Sequence, residues 1–419
     1  MMNDFATGFR PDFDVNLGVG YVNEETIPAR QICRALQIVV ESPERHPHAL
    51  NYGGSEGSAR LIAALRRFLV RHHVGLLTRN VLDRRRLIVG PSGVTSLLDG
   101  LARVLRPGIV VTGDPLYYIY SDYLRRLGFR LLPIPEDGDG LQTDLIESRA
   151  TPVLDEVSFF YVVTVGNPTS TILSNERRRH LVEIVTELSK RAGRQIPLVL
   201  DNAYELLIHD PAVERPLAAT LLDAEGIVYE LGTLSKVLAP ALRIGYLLGP
   251  PGPLIDALVQ RTNDVAFSAP LVNQEVAAEL LDHEIDEHLR RVHAGYRDKA
   301  LAVSAFIEAD LGEAVEQIWG GQAGFYYYVT LRDIETHQQS PFFRFASRTT
   351  GNGTVDGPAD APHPRVVYLP GDLCAHPEGE FHQSSRRQLR ISYGYANLEQ
   401  LRRGVALLGE AVQYARRSG

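Results

Sequence analysis

The chain writes almost every cation as arginine. Only three of its 43 Lys and Arg residues are lysines: Lys190, Lys236 and Lys299. Lys236 stands in "YELGTLSKVLAPALRIGYLLGP", between a serine and an apolar run. An amine can lose its proton, attack a carbonyl and form an imine, whereas a guanidinium stays protonated. Arg243 follows in the same stretch and suits binding rather than reaction. Asp201 in "PLVLDNAY" offers a carboxylate at the end of an apolar run, and Asn167 in "VGNPTS" offers an amide in a turn. Arg390 in "RQLRISYGY" offers a planar fork that matches a carboxylate. On residue type alone, bland readings compete. A lone lysine is usually a solvated surface residue, Asp201 is equally a helix N-cap, and Arg390 is equally a surface arginine beside Arg386 and Arg387.

These residues need elements to hold them. From about residue 45 to 285, short apolar β-branched runs alternate with turns and helical periodicity. "RRLIVGPSG" is a strand entering a tight turn, and "SLLDGLARVL" follows with Leu97, Leu98, Leu101, Val104 and Leu105 on one helical face. "GIVVTGDP", "VSFFYVVTVGNP", "IPLVLDNAY", "GIVYELGTLSK" and "RIGYLLGP" continue the strands. The alternation predicts a large α/β domain with a doubly wound, mostly parallel sheet. The polar residues gather just after the apolar runs, where ligands bind in open parallel sheets. Ser92-Gly93, Asp114-Pro115, Asn167-Pro168, Asp201 with Tyr204, and Ser235-Lys236 would converge there.

The remainder predicts a smaller α+β domain built from both termini. "HEIDEHLRRVHAGYRDKALAVSAFIEADL" is a long helix, "GFYYYVTL", "RVVYLP" and "RQLRISYGY" are strands, and "NLEQLRRGVALLGEAVQYARR" closes the chain as a helix. The expected division is 1–45 as a segment joining the small domain, 46–284 as the large domain and 285–419 as the small one. Residues 347–365, rich in Gly, Pro, Asp and Thr, predict a long surface loop.

Bulk properties exclude several classes. The length of 419 residues suits two domains, and the hydrophobic and charged fractions, 44% and 22%, are ordinary for a globular protein. A net charge of −8 disfavours nucleic acid and anionic membranes as partners. Two cysteines, Cys33 and Cys374, make neither a disulfide framework nor a zinc site. His283, His288 and His293 step by five, which does not stack a metal pair on a helix. No metal is expected. No run has membrane-spanning length and no signal-peptide pattern opens the sequence, so the expected compartment is the cytoplasm.

In order along residues 50 to 395, "LNYGGSEGSARLIAALRRFL", "GPSGVTSLLDGLARVL", "GDPLYYIY", "NPTS", "DNAY", "SKVLAPALRIGY" and "QLRISYGY" resemble the fold-type I pyridoxal-phosphate enzymes, in particular the class I/II aminotransferases. The resemblance implies an aspartate-aminotransferase-like fold and pyridoxal 5'-phosphate held as an imine on Lys236. It implies that Asp201 pairs with the pyridine nitrogen, and that Tyr204 and Asn167 bond the phenolic oxygen. The phosphate would lie on Ser92, Gly93 and Val94 at a helix start, with Thr233, Ser235 and Arg243. Tyr117, or its neighbour Tyr118, would stack on the ring. Tyr52 would reach the phosphate of a partner subunit, which implies a homodimer with shared sites. Arg390 and Asn167 would hold a substrate α-carboxylate, and Gly20 would cover it.

The sequence departs from that family in Pro240-Ala241 for a common Pro-Gly and in "NPTS" for a common Asn-Pro-Thr-Gly. The implied activity is amino transfer between an α-amino acid and an α-keto acid. An alternative keeps the cofactor and changes the outcome to β- or γ-elimination or replacement, as in aminocyclopropane-carboxylate synthases that act on S-adenosylmethionine. A third is a non-enzymatic sensor such as the aminotransferase-like domains of some bacterial regulators. No helix-turn-helix pattern appears in the 45 or so residues ahead of the large domain.

Overall fold

The structure is a computed structural model that describes residues 9–418. Eight strands form one large sheet: β1 (Arg86–Val89), β2 (Ile109–Asp114), β3 (Arg130–Asp137), β4 (Gly140–Leu141), β5 (Val157–Val163), β6 (Leu198–Asp201), β7 (Val228–Thr233) and β8 (Gly245–Gly249). Their order across the sheet is β1-β8-β7-β6-β5-β2-β3-β4. The pairs β3/β2, β2/β5, β5/β6 and β6/β7 are parallel. Strand β8 runs against both its neighbours, and the two-residue β4 runs against β3.

Unbroken apolar runs make these strands because helices cover both faces. Phe159, Tyr161, Val199 and Leu231 pack on one face with Leu97, Leu101 and Ile255. Phe160, Leu198 and Leu200 pack on the other with Leu181 and Val185. Adjacent residues thus go to opposite faces, as the two-residue period of a strand requires. Each such side chain contributes about 1.5–3 kcal/mol by leaving water.

The second sheet has four antiparallel strands: β9 (Val315–Gly320), β10 (Tyr326–Leu331), β11 (Leu369–Pro370) and β12 (Gln388–Ser392), in the order β9-β10-β12-β11. Helices Ile285–Asp310 and Leu398–Ser418 accompany it. Residue 284, the expected domain bound, falls between helices Leu271–His283 and Ile285–Asp310.

Two expectations need revision in detail. "RVVYLP" is not one strand. Val366–Val367 pairs in parallel with Val15–Asn16, and Leu369–Pro370 joins the four-stranded sheet. Tyr368 between them is buried, and its hydroxyl donates to the Thr336 carbonyl, which turns the chain from one ladder to the other. The first ladder is locked by Asp14, whose carboxylate accepts from Arg10 and Arg365 at 2.9 and 2.8 Å. Those arginines outweigh burial and hold its pKa at about 2. Residues 347–365 form a loop with one helical turn, Gly353–Asp356. Asp356 organises it by accepting from the N–H groups of Thr350 and Gly351.

Candidate active site

Strands β1, β5, β6 and β7 end where the chemistry-bearing residues begin. After β1, Ser92 precedes helix Gly93–Val104, whose first N–H groups lack partners within the helix. Gly93 has φ +66°, and a Cβ there would stand 3.1 Å from Arg243 Nη2. Gly245 is tighter still, since its Cβ would lie 2.2 Å from the Val94 nitrogen. The two glycines let strand β8 and the helix start close around one small space. Arg243 takes a left-handed conformation, φ +54°, and donates to the Ser92 carbonyl at 2.9 Å and to Ser92 Oγ at 3.3 Å. Thr233 Oγ1 donates to the Ile244 carbonyl at 2.8 Å and accepts from Ser235 N at 3.1 Å. Ser92, Gly93, Val94, Thr233, Ser235 and Arg243 are thus assembled from three strand ends. A helix start, hydroxyls and a guanidinium together suit a phosphate.

Lys236 follows directly. Its Nζ donates to the Gly20 carbonyl at 3.1 Å and lies 5.5 and 5.7 Å from the Tyr204 and Phe325 ring centres. Burial, then the Arg390 and Arg243 charges, lower its pKa to about 8 against a smaller opposing effect of Asp201. Asp201 is 4% exposed and accepts from Tyr161 Oη at 2.8 Å and Ala203 N at 3.1 Å. Burial raises its pKa, and no salt-bridge partner is in contact with it among the described residues. Such a carboxylate is stabilised by a cation set beside it, which a protonated pyridine nitrogen supplies. Together with the phosphate cradle and the amine, this donor set fits pyridoxal phosphate.

The opposing wall comes from the four-stranded sheet and the N-terminal segment. Arg390, on the central strand β12, is 3% exposed. It donates through Nη1 to Asn167 Oδ1 at 2.5 Å and through Nη2 to the Gly18 carbonyl at 2.6 Å. Its guanidinium lies 4.1 Å from the Tyr326 ring centre. The segment 18–20 therefore touches both Arg390 and Lys236. Tyr117 and Tyr118 lie beyond β2. Burial raises the pKa of both; Asp201 adds to the rise at Tyr117, and the Arg390 charge opposes it at Tyr118. Tyr52 is elsewhere on this chain's surface: it is 77% exposed and leans on Phe267 at 5.5 Å between ring centres. The loop behind it is anchored by His46, whose ring lies 2.8 Å from Glu275 and 3.2 Å from Glu279.

Sequence reading missed Tyr161 and Tyr326. Both stand inside apolar strand runs, where a tyrosine is indistinguishable from a core aromatic until its hydroxyl partner is known. It also missed why the spaced histidines are there. His288 and His293 each bond a backbone carbonyl at 2.7 Å, that of Val237 next to the lysine and that of Leu206 beyond Tyr204. No cluster of three or more metal-ligating side chains exists among the described residues.

The aminotransferase class I and II family matches residues 14–342, and the chain belongs to that family. Pyridoxal phosphate is the family's cofactor, and the protein is a pyridoxal-phosphate-dependent transferase. An uncharacterized HTH-type transcriptional regulator of Bacillus subtilis is 27% identical over 95% of this chain and 74% of its own length. Aromatic-amino-acid aminotransferase 1 of Thermococcus litoralis is 25% identical over 95% of this chain and 88% of its own. The crystal structure of the multiple substrate aminotransferase from Thermococcus profundus superposes with a TM-score of 0.83 at 23% identity, covering 100% of this chain and 96% of that one. No helix among the described residues is long and apolar enough to cross a membrane.

Proposed function

We propose that the protein moves an amino group from an aromatic or large apolar α-amino acid to an α-keto acid, with Lys236 as its reacting amine. The observation that carries this is that one short segment holds both groups: Lys236 bonds the Gly20 carbonyl and the buried Arg390 bonds the Gly18 carbonyl. When bound, the cofactor draws electrons from the substrate's α-carbon and so makes its proton labile. Lys236, with its pKa near 8, holds a usable neutral fraction at pH 7–8 and serves as nucleophile and proton carrier. Asp201 fixes the cationic ring nitrogen, and Tyr161 and the Ala203 N–H fix Asp201. Tyr204 and Asn167 would bond the phenolic oxygen of the bound cofactor, and Tyr117 would stack on its ring. Ser92, Gly93, Val94, Thr233, Ser235 and Arg243 hold the phosphate. Arg390 takes the substrate carboxylate in its fork, while Gly20 and its segment exclude water above it.

Tyr204 and Phe325 stand beside Lys236 and Tyr326 beside Arg390, and the similarity to an aromatic-amino-acid aminotransferase supports the same substrate class. The active form is a homodimer. Leu50, Tyr52, Val265 and Phe267 are 75, 77, 61 and 63% exposed, and a second copy would bury them and receive Tyr52 at its phosphate. Mixing a Lys236→Ala chain with a Tyr52→Ala chain then restores one complete site per heterodimer. Activity of the mixture confined to the sum of the two parents would refute the shared site.

The reaction is tested with holoenzyme and an amino-acid panel in the absence of keto acid. Stoichiometric conversion of the cofactor to its amine form, with phenylalanine, tyrosine or tryptophan among the best substrates, supports the proposal. Catalytic consumption of one compound, S-adenosylmethionine included, indicates elimination or replacement instead. Binding without conversion indicates a sensing role, which the similarity to a transcriptional regulator makes a real outcome.

A further inference from the structure

Tyr326 joins Tyr161 and Tyr204 as a tyrosine whose hydroxyl enters this site. It opens strand β10 opposite Ser392 and is 1% exposed. Its ring supports the Arg390 guanidinium at 4.1 Å. Its hydroxyl lies 2.7 Å from the Tyr204 hydroxyl. A Cβ on Gly20 would stand 2.5 Å from the same oxygen. One side chain thus touches the carboxylate fork, the phenol beside Lys236 and the covering N-terminal segment.

Each phenol carries one proton. If Tyr204 gives its proton to an oxygen of the bound cofactor, the bond between the two phenols persists only with Tyr326 as donor. A phenol that accepts one hydrogen bond becomes a stronger donor in its next. We propose that Tyr326 is a positioning residue with two separable roles: its ring orients Arg390 for the substrate carboxylate, and its hydroxyl directs the Tyr204 proton toward the cofactor. This rests on the placement of the cofactor at Lys236 proposed above.

The two roles are separated by two variants of the holoenzyme. Tyr326→Phe keeps the ring and removes the donor. Its cofactor absorbance band should titrate with a midpoint about one pH unit higher, because the deprotonated cofactor loses part of its hydrogen-bond support. Its KM for the amino acid should stay within about threefold of the parent, since the cation–π support remains. Tyr326→Leu removes both, and its KM should rise about tenfold or more. Thermal melts of the cofactor-free variants report folding separately. A folded Tyr326→Phe protein with an unchanged midpoint, or a folded Tyr326→Leu protein with an unchanged KM, overturns the proposal. Failure of the underlying placement shows differently: borohydride would then not fix the cofactor to Lys236 in the parent enzyme.

Discussion

Arg390 Nη1 donates to Asn167 Oδ1 at 2.5 Å, a bond between the central strand of the small sheet and the turn that follows β5 of the large one. Among the described residues no carboxylate of the chain pairs with Arg390, and its buried Nε has no hydrogen-bond partner. A buried guanidinium held by one amide and one carbonyl is ready for an anion.

The first expectation follows from that geometry. Lysine at 390 keeps the charge and loses the fork. Arg390→Lys should raise KM for the amino acid by about 30- to 100-fold, the equivalent of about 2–3 kcal/mol, with a smaller fall in kcat. Steady-state kinetics at saturating keto acid measure both. An unchanged KM would place the carboxylate elsewhere.

Lys236 makes the cofactor-free protein less stable at neutral pH. Its pKa falls from 10.5 in the unfolded chain to about 8 in the folded one. Below pH 8 both states carry the proton, and folding bears the full cost of burying the charge. Between pH 8 and 10.5 the unfolded state binds more protons, so stability rises with pH until the cost is gone. The shift corresponds to about 3 kcal/mol at most. Cofactor-free Lys236→Met should therefore melt higher than its parent at pH 7, and the gap should close toward pH 10.5. Calorimetry across that range checks the sign, and a gap that widened with pH would contradict it.

Gly20 is a glycine because of Tyr326. An added Cβ meets the Tyr326 hydroxyl oxygen at 2.5 Å, but the next atom, Cζ, is 3.7 Å away. Gly20→Ala should lift the N-terminal segment from Lys236 and raise KM for the amino acid several-fold. Combining it with Tyr326→Phe removes the only severe contact. The double variant should recover the KM of Tyr326→Phe alone, a rescue that a double-mutant cycle measures directly.

Much of this site was legible because the polar residues sit at strand ends. "LVLD" and "YELGTLSK" announce both a buried strand and the residue that leaves it, so Asp201 and Lys236 could be placed before any coordinates. The order of the strands could not, since nothing local in "RIGYLLGP" shows that β8 runs against both neighbours. Gly20 and Arg390 are joined to the site by contacts spanning more than 200 residues of sequence, and Arg390 lies beyond the stretch matched by the family. Tyr161 was hidden by its own surroundings: in "SFFYVV" only a partner in three dimensions distinguishes a hydrogen-bonding phenol from a packing ring.

Ser170 carries a conformational cost inherited from the turn that presents Asn167. It adopts φ +53°, the left-handed region, where related sequences often place glycine. Its side chain is 2% exposed, and its Oγ has no hydrogen-bond partner among the described residues. The turn cannot relax easily, because Thr169 and Thr171 beside it both donate to the buried Glu136 carboxyl, at 3.1 and 3.2 Å. Ser170→Gly removes the left-handed strain, about 1–2 kcal/mol, and the desolvated hydroxyl, while adding up to about 1 kcal/mol of unfolded-state entropy. The variant should be more stable by about 1 kcal/mol, with KM for the amino acid unchanged because Asn167 keeps its place. Chemical denaturation measures the first and steady-state kinetics the second. A loss of stability would mean that the backbone at 170 is not held left-handed.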